Sequence, residues 1–262
     1  MKLSLITNKP EIAKLAEDSG IDRIFIDLEK LGKAERQIGC GLFLSDHCIE
    51  DIPRIRKLLH KTELLVRIDP LHPGSKNQIA KVIDSGANIL MLPYFHRLDE
   101  VQQFLDYVDK KVGTMLLVET QGAVSILGEL TKLPGVSEIH IGLNDLSICR
   151  EKKSLFELVS DGTIDSLCDI LRSSGIPFGF GGIAALHRLD LQISPELFLA
   201  FQVCNGCTRG WLGRSFRDIN PQIFDSSVRA LRDSIASWQA AGPEARLKLK
   251  AELLKQIHSH HP

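Results

Sequence analysis

The chain has 262 residues, of which 44% are hydrophobic and 25% are charged, with a formal net charge of −1. This composition is typical of a soluble globular protein with a sizeable core, and it excludes a disordered or strongly basic chain. No basic block predicts nucleic-acid binding, and no apolar run reaches the length of a membrane span. The six cysteines show no disulfide-scaffold spacing and no export signal opens the chain, so we expect a cytoplasmic protein with reduced thiols.

Apolar runs typical of strands alternate with segments of helical periodicity along almost the whole chain. The predicted strands are Leu3–Thr7, Arg23–Leu28, Cys40–Ser45, Glu63–Ile68, Asn88–Leu92, Met115–Val118, Ile139–Ile141, Pro177–Phe180 and Thr208–Leu212. The predicted helices are Pro10–Gly20, Asp51–Leu59, Gln78–Asp84, Asp99–Val108, Ala123–Leu133, Asp165–Ser173, Pro195–Cys204, Asp225–Ala240 and Pro243–Ile257.

This alternation predicts an α/β fold of parallel strands joined by right-handed crossovers. The pattern amounts to close to eight strand–helix units, and no dinucleotide-binding fingerprint is present. We therefore predict a single (β/α)8 TIM barrel rather than an open doubly wound sheet. The whole chain, residues 1–262, is expected to form one domain, with the barrel in about residues 1–217. Residues 218–262 are expected to form extra C-terminal helices and a short disordered tail from His258.

Carboxylates follow two neighbouring strands of this pattern. Glu119 comes directly after Met115–Val118, and Asp145 follows Ile139–Ile141 after three intervening residues. Because parallel strands end at the same edge of a sheet, the two acids are expected to lie together, where a bound cation would neutralise them. Alternatively, each acid caps a helix or complements the dipole of its first turn.

Other polar residues are expected at the same end of the barrel, where reaction sites of this fold lie. The second strand delivers Asp27 and Glu29, and the third delivers Arg67, whose forked guanidinium suits a carboxylate. This acidic set with one arginine predicts a divalent cation and a small anionic substrate. The glycines of the GFGG loop, Gly181 and Gly182, suit either an anion pocket or a purely steric role.

Six short motifs carry a resemblance to a known family. They are FIDLE at Phe25–Glu29, LLVRID at Leu64–Asp69, GANILMLP at Gly86–Pro93, LLVETQGAV at Leu116–Val124, IHIGLNDLS at Ile139–Ser147 and GFGGIA at Gly179–Ala184. In this order they resemble the HpcH/HpaI aldolase/citrate lyase β family, within the phosphoenolpyruvate/pyruvate-binding barrels. The resemblance covers about residues 1–217.

The resemblance implies a role for each matching position. Glu119 and Asp145 would hold Mg2+ or Mn2+, with the remaining coordination positions going to water and substrate oxygens. Arg67 and Asp27 would be catalytic residues, and Arg67 would also bind the substrate by steadying a pyruvate enolate. The further implied positions are Asp84 as the partner of a catalytic histidine, and Glu29, Gly142, Leu143, Asn144, Gly181 and Gly182 as substrate-binding residues.

The activity implied is that of a metal-dependent, class II carbon–carbon lyase or aldolase acting on a 2-oxo acid, with an aldehyde as second reactant. The family also implies a homo-oligomer assembled through the C-terminal helices. One position departs from the pattern: Lys30 stands where the HpaI-type aldolases have a histidine. His47 and His72 are the candidates to replace this histidine, but each is expected to lie at the protein surface.

Two alternatives to an active aldolase stay open at this point. One is a barrel that binds a 2-oxo acid or acyl ligand without turnover, or serves as an interaction subunit. The other is a lyase of the citrate lyase β type that acts on a CoA thioester. A Schiff-base mechanism through Lys30 is less favoured than an ion pair with the neighbouring acids.

Overall fold

The computed structural model describes residues 1–32, 45–217 and 220–260. All the strand pairs in this part of the chain are parallel. The strands are β1 Lys2–Ile6, β2 Arg23–Asp27, β3 Glu63–Arg67, β4 Ile89–Leu92, β5 Gly113–Val118, β6 Glu138–Ile141, β7 Phe178–Phe180, β8 Gly182–Ile183 and β9 Arg209–Leu212.

The sheet closes into a barrel through an interrupted strand. Its order is β7-β6-β5-β4-β3-β2-β1-β9-β8, and β1 pairs with both β2 and β9. Only Gly181 separates β7, which pairs with β6, from β8, which pairs with β9. The two short strands therefore act as one barrel strand with a bend at Gly181, where φ is +56°. The predicted TIM-like α/β barrel is confirmed.

Helices cover the outside of the barrel. Their bounds are Pro10–Asp18, Asp51–Arg56, Ser75–Asp84, Leu98–Val108, Gln121–Ser125, Leu127–Leu130, Leu143–Cys149, Glu157–Ser160, Thr163–Ser174, Pro195–Cys204, Arg214–Arg217, Pro221–Ala240 and Pro243–His260.

Several predicted boundaries need correction. The helix predicted over Ala123–Leu133 is two short helices, because the chain leaves helical geometry at Ile126. The last helix continues to His260, so the prediction of a disordered tail from His258 is wrong for residues 258–260. The strand predicted at Cys40–Ser45 lies outside the described residues except for Ser45, which is in coil.

The barrel interior is layered, because alternate residues of each strand point inward. At the N-terminal end of the barrel, Arg23 is 1% exposed and donates from Nη1 and Nη2 to Glu138 at 2.5 and 2.6 Å. Arg209 and Glu63 complete this charged layer. The next layer is apolar and includes Phe25, Leu65, Met91, Met115 and Leu117. Above it lie the polar residues of the opposite end, which form the candidate site.

The C-terminal helices pack on the barrel of their own chain. Leu249, Leu253 and Ile257 are buried, and the last helix contacts Pro195–Cys204 and Glu157–Ser160. Assembly through these helices stays a prediction. In the part of the chain that the structure describes, no helix is both long and apolar enough to cross a membrane.

Candidate active site

A cavity of about 870 Å3 opens at the C-terminal end of the barrel strands. Side chains from five strand ends or following loops meet there, so residues far apart in sequence share one space. The predicted residues that line it are Asp27, Arg67, Glu119, Gly142, Leu143, Asn144, Asp145, Gly181 and Gly182.

Glu119 lies immediately after β5 and is 3% exposed. Its Oε1 accepts a hydrogen bond from the backbone N–H of Tyr94 at 3.0 Å. Tyr94 adopts a φ of 47°, an unusual conformation for a non-glycine residue, at the end of β4. The following helix is capped by Thr120, whose hydroxyl accepts from the N–H of Ala123 at 3.0 Å. Helix capping therefore does not explain Glu119.

Asp145 lies in the first turn of the helix Leu143–Cys149 and is 9% exposed. The N-cap of that helix is Gly142, which offers no side-chain cap. A Cβ atom at Gly142 would lie 2.7 Å from Oε2 of Glu119, so only glycine admits Glu119 in this position. This close approach brings the end of β5 against the start of the helix that carries Asp145.

The negative charge of Glu119 is disfavoured by its surroundings. Burial raises the pKa of Glu119 well above its usual value, and the neighbouring charges of Asp145 and Glu29 raise it further against the opposing effect of Arg67. Two close carboxylates are the hard oxygen donors that Mg2+ and Mn2+ prefer.

The two-carboxylate arrangement fits a cation that keeps open coordination positions. Among the described residues, no group of three or more His, Cys, Asp or Glu side chains is arranged to hold a metal ion. Mg2+ is commonly bound through one or two carboxylates, with waters and substrate oxygens completing its shell. The pair Glu119 and Asp145 meets that requirement.

Arg67, the last residue of β3, is held rigidly in the wall of the cavity. Its Nε and Nη2 donate to the two oxygens of Asp27 at 2.8 and 2.7 Å, and Nη1 lies 3.3 Å from Oε2 of Glu29. Burial opposes its charge, but Asp27 and Glu29 outweigh burial and raise its pKa. Glu29 does not line the cavity, which corrects its predicted contact with substrate: it supports Arg67 instead.

Asp84 is not part of this site, contrary to the prediction of a catalytic role. It ends the helix Ser75–Asp84 and is exposed. A helix that follows a barrel strand runs back along it, so its C-terminal end lies at the opposite end of the barrel. Lys30 is also exposed and does not line the cavity.

Of the two histidines considered from sequence, only His47 lines the cavity. The expectation of a surface position is wrong for His47, which is 5% exposed. Its Nδ1 accepts a hydrogen bond from the backbone N–H of Asp27 at 3.0 Å, beside the Arg67 pair. His72 is half-buried and its Nδ1 accepts from the N–H of Gly74, away from the cavity.

A second cavity-lining histidine, His140 of β6, was not predicted. It is fully buried, and its ring stacks on Trp211 with centroids 3.7 Å apart and planes 1° apart. Its Nε2 lies 3.0 Å from the carbonyl oxygen of Gly181. Burial lowers its pKa to about 3, so the ring is neutral at physiological pH. The alternation Glu138, His140, Gly142 along β6 was the sequence signal that could have identified it.

Of the two predicted glycines of the GFGG loop, Gly181 is required for steric reasons. Gly181 has positive φ, and a Cβ atom there would lie 2.8 Å from Cδ1 of Leu143. Its backbone also serves the barrel, since its N–H donates to Ile141 at 3.0 Å. Gly182 borders the cavity with the nearest atoms 3.9 Å from a Cβ position.

Solved structures support the fold assignment. An HpcH/HpaI aldolase from Desulfitobacterium hafniense DCB-2 is 13% identical with a TM-score of 0.59, covering 92% of this chain and 94% of that one. An HpcH/HpaI aldolase/citrate lyase family protein from Burkholderia cenocepacia J2315 is 14% identical with a TM-score of 0.61, covering 91% and 95%. The citrate synthase SbnG is 16% identical with a TM-score of 0.56, covering 90% and 92%.

At these identities the likeness to solved structures concerns the fold alone. No protein of curated function matches the sequence. The sequence model of the HpcH/HpaI aldolase/citrate lyase family, however, matches residues 3–154, which is more than half of the chain. That segment includes Asp27, Arg67, Glu119 and Asp145. The chain therefore belongs to the HpcH/HpaI aldolase/citrate lyase family, whose members include aldolases and lyases.

Proposed function

We propose that this protein is a metal-dependent carbon–carbon lyase or aldolase that acts on a 2-oxo acid through a pyruvate-type enolate. The observation that carries the proposal is the meeting of Glu119, Asp145 and Arg67 in one cavity. The first two are close enough for the charge of one to raise the pKa of the other, and Arg67 is close enough to oppose that effect. The same three groups can therefore act on one small ligand.

Glu119 and Asp145 are the proposed ligands of Mg2+ or Mn2+. A bound divalent cation would supply Lewis-acid polarisation of the carbonyl oxygen of a 2-oxo acid. The protein supplies the geometry: Tyr94 orients Glu119 through its backbone N–H, and Gly142 leaves the space that Glu119 occupies. Metal binding also requires both acids to be deprotonated, which links it to pH.

Arg67 is the proposed partner of the negative charge that develops on the enolate oxygen. Asp27 and Glu29 keep the guanidinium in place, so it needs little reorganisation when that charge appears. The substrate carboxylate is proposed to lie beside Gly142, Leu143 and Asn144, which line the cavity at the start of the helix Leu143–Cys149.

His47 is the proposed proton carrier. Its Nδ1 accepts from the Asp27 backbone, so a neutral ring carries its proton on Nε2. It also lines the cavity beside the proposed enolate site. His140 is less suited to this role, because a pKa of about 3 leaves it a weak base. We expect His47→Gln to lower kcat for aldol cleavage by about 100-fold while Mn2+ affinity is retained; an unchanged kcat would contradict the role.

The reaction that tests the metal and arginine site most simply is decarboxylation of oxaloacetate. In it, the C3–C4 bond breaks, its electron pair forms the enolate of pyruvate, C4 leaves as carbon dioxide, and C3 takes up a proton. We expect Mg2+- or Mn2+-dependent release of pyruvate by the wild type. Glu119→Gln and Asp145→Asn should each lower the rate at least about 100-fold.

The matched control is Glu129→Gln, which removes an exposed carboxylate from the helix Leu127–Leu130. Its rate should equal that of the wild type. Rates unaffected by Glu119→Gln and Asp145→Asn would remove the metal role. A wild type that binds Mn2+ and pyruvate without turnover would favour the ligand-binding alternative.

A further inference from the structure

The cavity extends well beyond the space that pyruvate needs. Its volume of about 870 Å3 is near the upper end of the range for small-molecule sites. The proposed cation ligands, Glu119 and Asp145, lie together with Arg67 on one side of it. The remaining volume must accommodate the second reactant of a carbon–carbon lyase, so its lining carries information on that reactant.

We name the other side of the cavity the apolar lobe. Its residues come from three places in the chain: the start of the helix Leu143–Cys149, the turn that follows this helix, and the helix Pro195–Cys204 with the residues just before it. They are Leu143, Leu155, Phe156, Ile193 and Phe198.

The aromatic part of the apolar lobe is held in place by ring contacts. Phe156 packs edge-to-face on Phe198, with centroids 5.6 Å apart and planes 89° apart. Phe198 in turn contacts Phe180 of β7 at 6.1 Å and 80°. Such contacts favour one orientation of the rings, so the lobe is a preformed surface for an apolar or aromatic group.

Within the described lining, the one arginine outside the proposed cation and enolate site is already paired with an acid. In the described lining, the charged side chains away from the proposed cation and enolate site are Arg188 and Asp190. Nε and Nη2 of Arg188 donate to Oδ1 and Oδ2 of Asp190, each at 2.7 Å. A carboxylate on the second reactant would therefore have to compete with Asp190 for Arg188.

Leu143 joins the two sides of the cavity. It follows Gly142 directly, it lies two residues before Asp145, and its Cδ1 lies against Gly181. The second reactant is bonded to C3 of pyruvate through its aldehyde carbon. A group attached to that aldehyde carbon would extend past Leu143 onto Phe156 and Phe198. The lobe is thus adjacent to the reacting bond and is not a separate pocket.

We propose, on the basis of the proposed function, that the second reactant is an aldehyde bearing an uncharged apolar group of aromatic or branched-alkyl size. In the cleavage direction, the C4 hydroxyl of a 4-hydroxy-2-oxo acid loses its proton and the C3–C4 bond breaks. The electron pair of that bond forms the pyruvate enolate, C4 becomes the aldehyde carbon, and C3 takes up a proton. The apolar group on C4 occupies the lobe.

The test measures kcat/KM for addition of pyruvate to benzaldehyde and to succinic semialdehyde with Mn2+ present. The wild type should favour benzaldehyde by at least about 10-fold. Phe156→Arg should reverse the preference, because it replaces an apolar wall with a cation; this gain cannot result from misfolding. Leu247→Arg, on the last helix at a position that is 71% exposed, is the control and should keep the wild-type preference.

Oxaloacetate decarboxylation separates the two proposals, since it needs no group in the apolar lobe. Its rate should be within about twofold of the wild type in Phe156→Arg. Decarboxylation combined with a preference for succinic semialdehyde would overturn the apolar-lobe inference alone. Absence of metal-dependent decarboxylation in the wild type would overturn the proposed function and this inference with it.

Discussion

One methyl group at Gly142 is expected to displace a proposed metal ligand. In Gly142→Ala the new Cβ would lie 2.7 Å from Oε2 and 2.8 Å from Cβ of Glu119. Favourable carbon contacts are about 3.5–4.0 Å, so Glu119 must move by roughly 0.7 Å or more. The backbone at Gly142, with φ −83° and ψ 98°, suits alanine, and the perturbation is therefore steric rather than conformational.

The displacement should weaken metal binding and lower stability together. Losses of about 10- to 100-fold in metal affinity are typical when the support of a ligand is disturbed. Overpacking costs about 1–3 kcal/mol, which corresponds to a Tm lower by about 2–12 °C in a chain of this size. Calorimetric titration with Mn2+ and differential scanning calorimetry measure the two effects.

Gly128→Ala is the control, because a Cβ atom at Gly128 meets nothing within 4 Å. It should keep the wild-type Mn2+ affinity. If Gly142→Ala binds Mn2+ within about twofold of the wild type, the reasoning on Glu119 is refuted.

Three further predictions follow from the charges of the protein. In metal-free protein at neutral pH, Glu119→Gln should raise Tm. The pKa of Glu119 is higher in the folded than in the unfolded protein, so the folded protein loses stability as the pH rises from the unfolded pKa through the folded pKa. A lower Tm, measured by scanning calorimetry with a chelator, would contradict this. Because the pKa of Glu119 is raised, protons should compete with Mn2+ at a pH well above the ordinary glutamate pKa of about 4.3, and the Mn2+ affinity of the wild type should already fall there. Calorimetric titrations that show a constant Mn2+ affinity down to about pH 4.3 would refute this prediction. Glu138→Gln should lower stability by about 1–3 kcal/mol and Tm by about 2–12 °C, because the buried guanidinium of Arg23 loses its bidentate partner and keeps only Glu63 as a carboxylate partner among the described residues. Denaturant unfolding measures this, and an unchanged stability would show that the network contributes little.

The barrel and the two proposed metal ligands could be predicted from sequence because their signals are local. Glu119 and Asp145 each follow a short apolar run, and parallel strands end at one edge of a sheet. The position of Asp84 could also have been derived, since a residue at the C-terminal end of a barrel helix lies at the opposite end from the site. The predicted role for Asp84 relied on resemblance instead of on helix direction.

The rest of the site depends on contacts that no local pattern encodes. No local pattern indicates that Nδ1 of His47 accepts a hydrogen bond from the backbone N–H of Asp27, which lies 20 residues earlier. The stack of His140 on Trp211 joins two strands that are distant in sequence. Phe156 lies in a turn and Phe198 lies in the helix Pro195–Cys204, and the two rings meet only in the folded barrel.

The central claim is that Glu119 and Asp145 hold one divalent cation opposite Arg67. A crystal soaked with Mn2+ and oxalate, a stable mimic of the pyruvate enolate, tests it most directly through the anomalous scattering of the metal. We predict a single anomalous peak between the two carboxylates, with oxalate bound to the metal and within hydrogen-bond distance of Arg67. Ordered oxalate elsewhere, or Mn2+ bound without contact to Glu119 and Asp145, would contradict the claim.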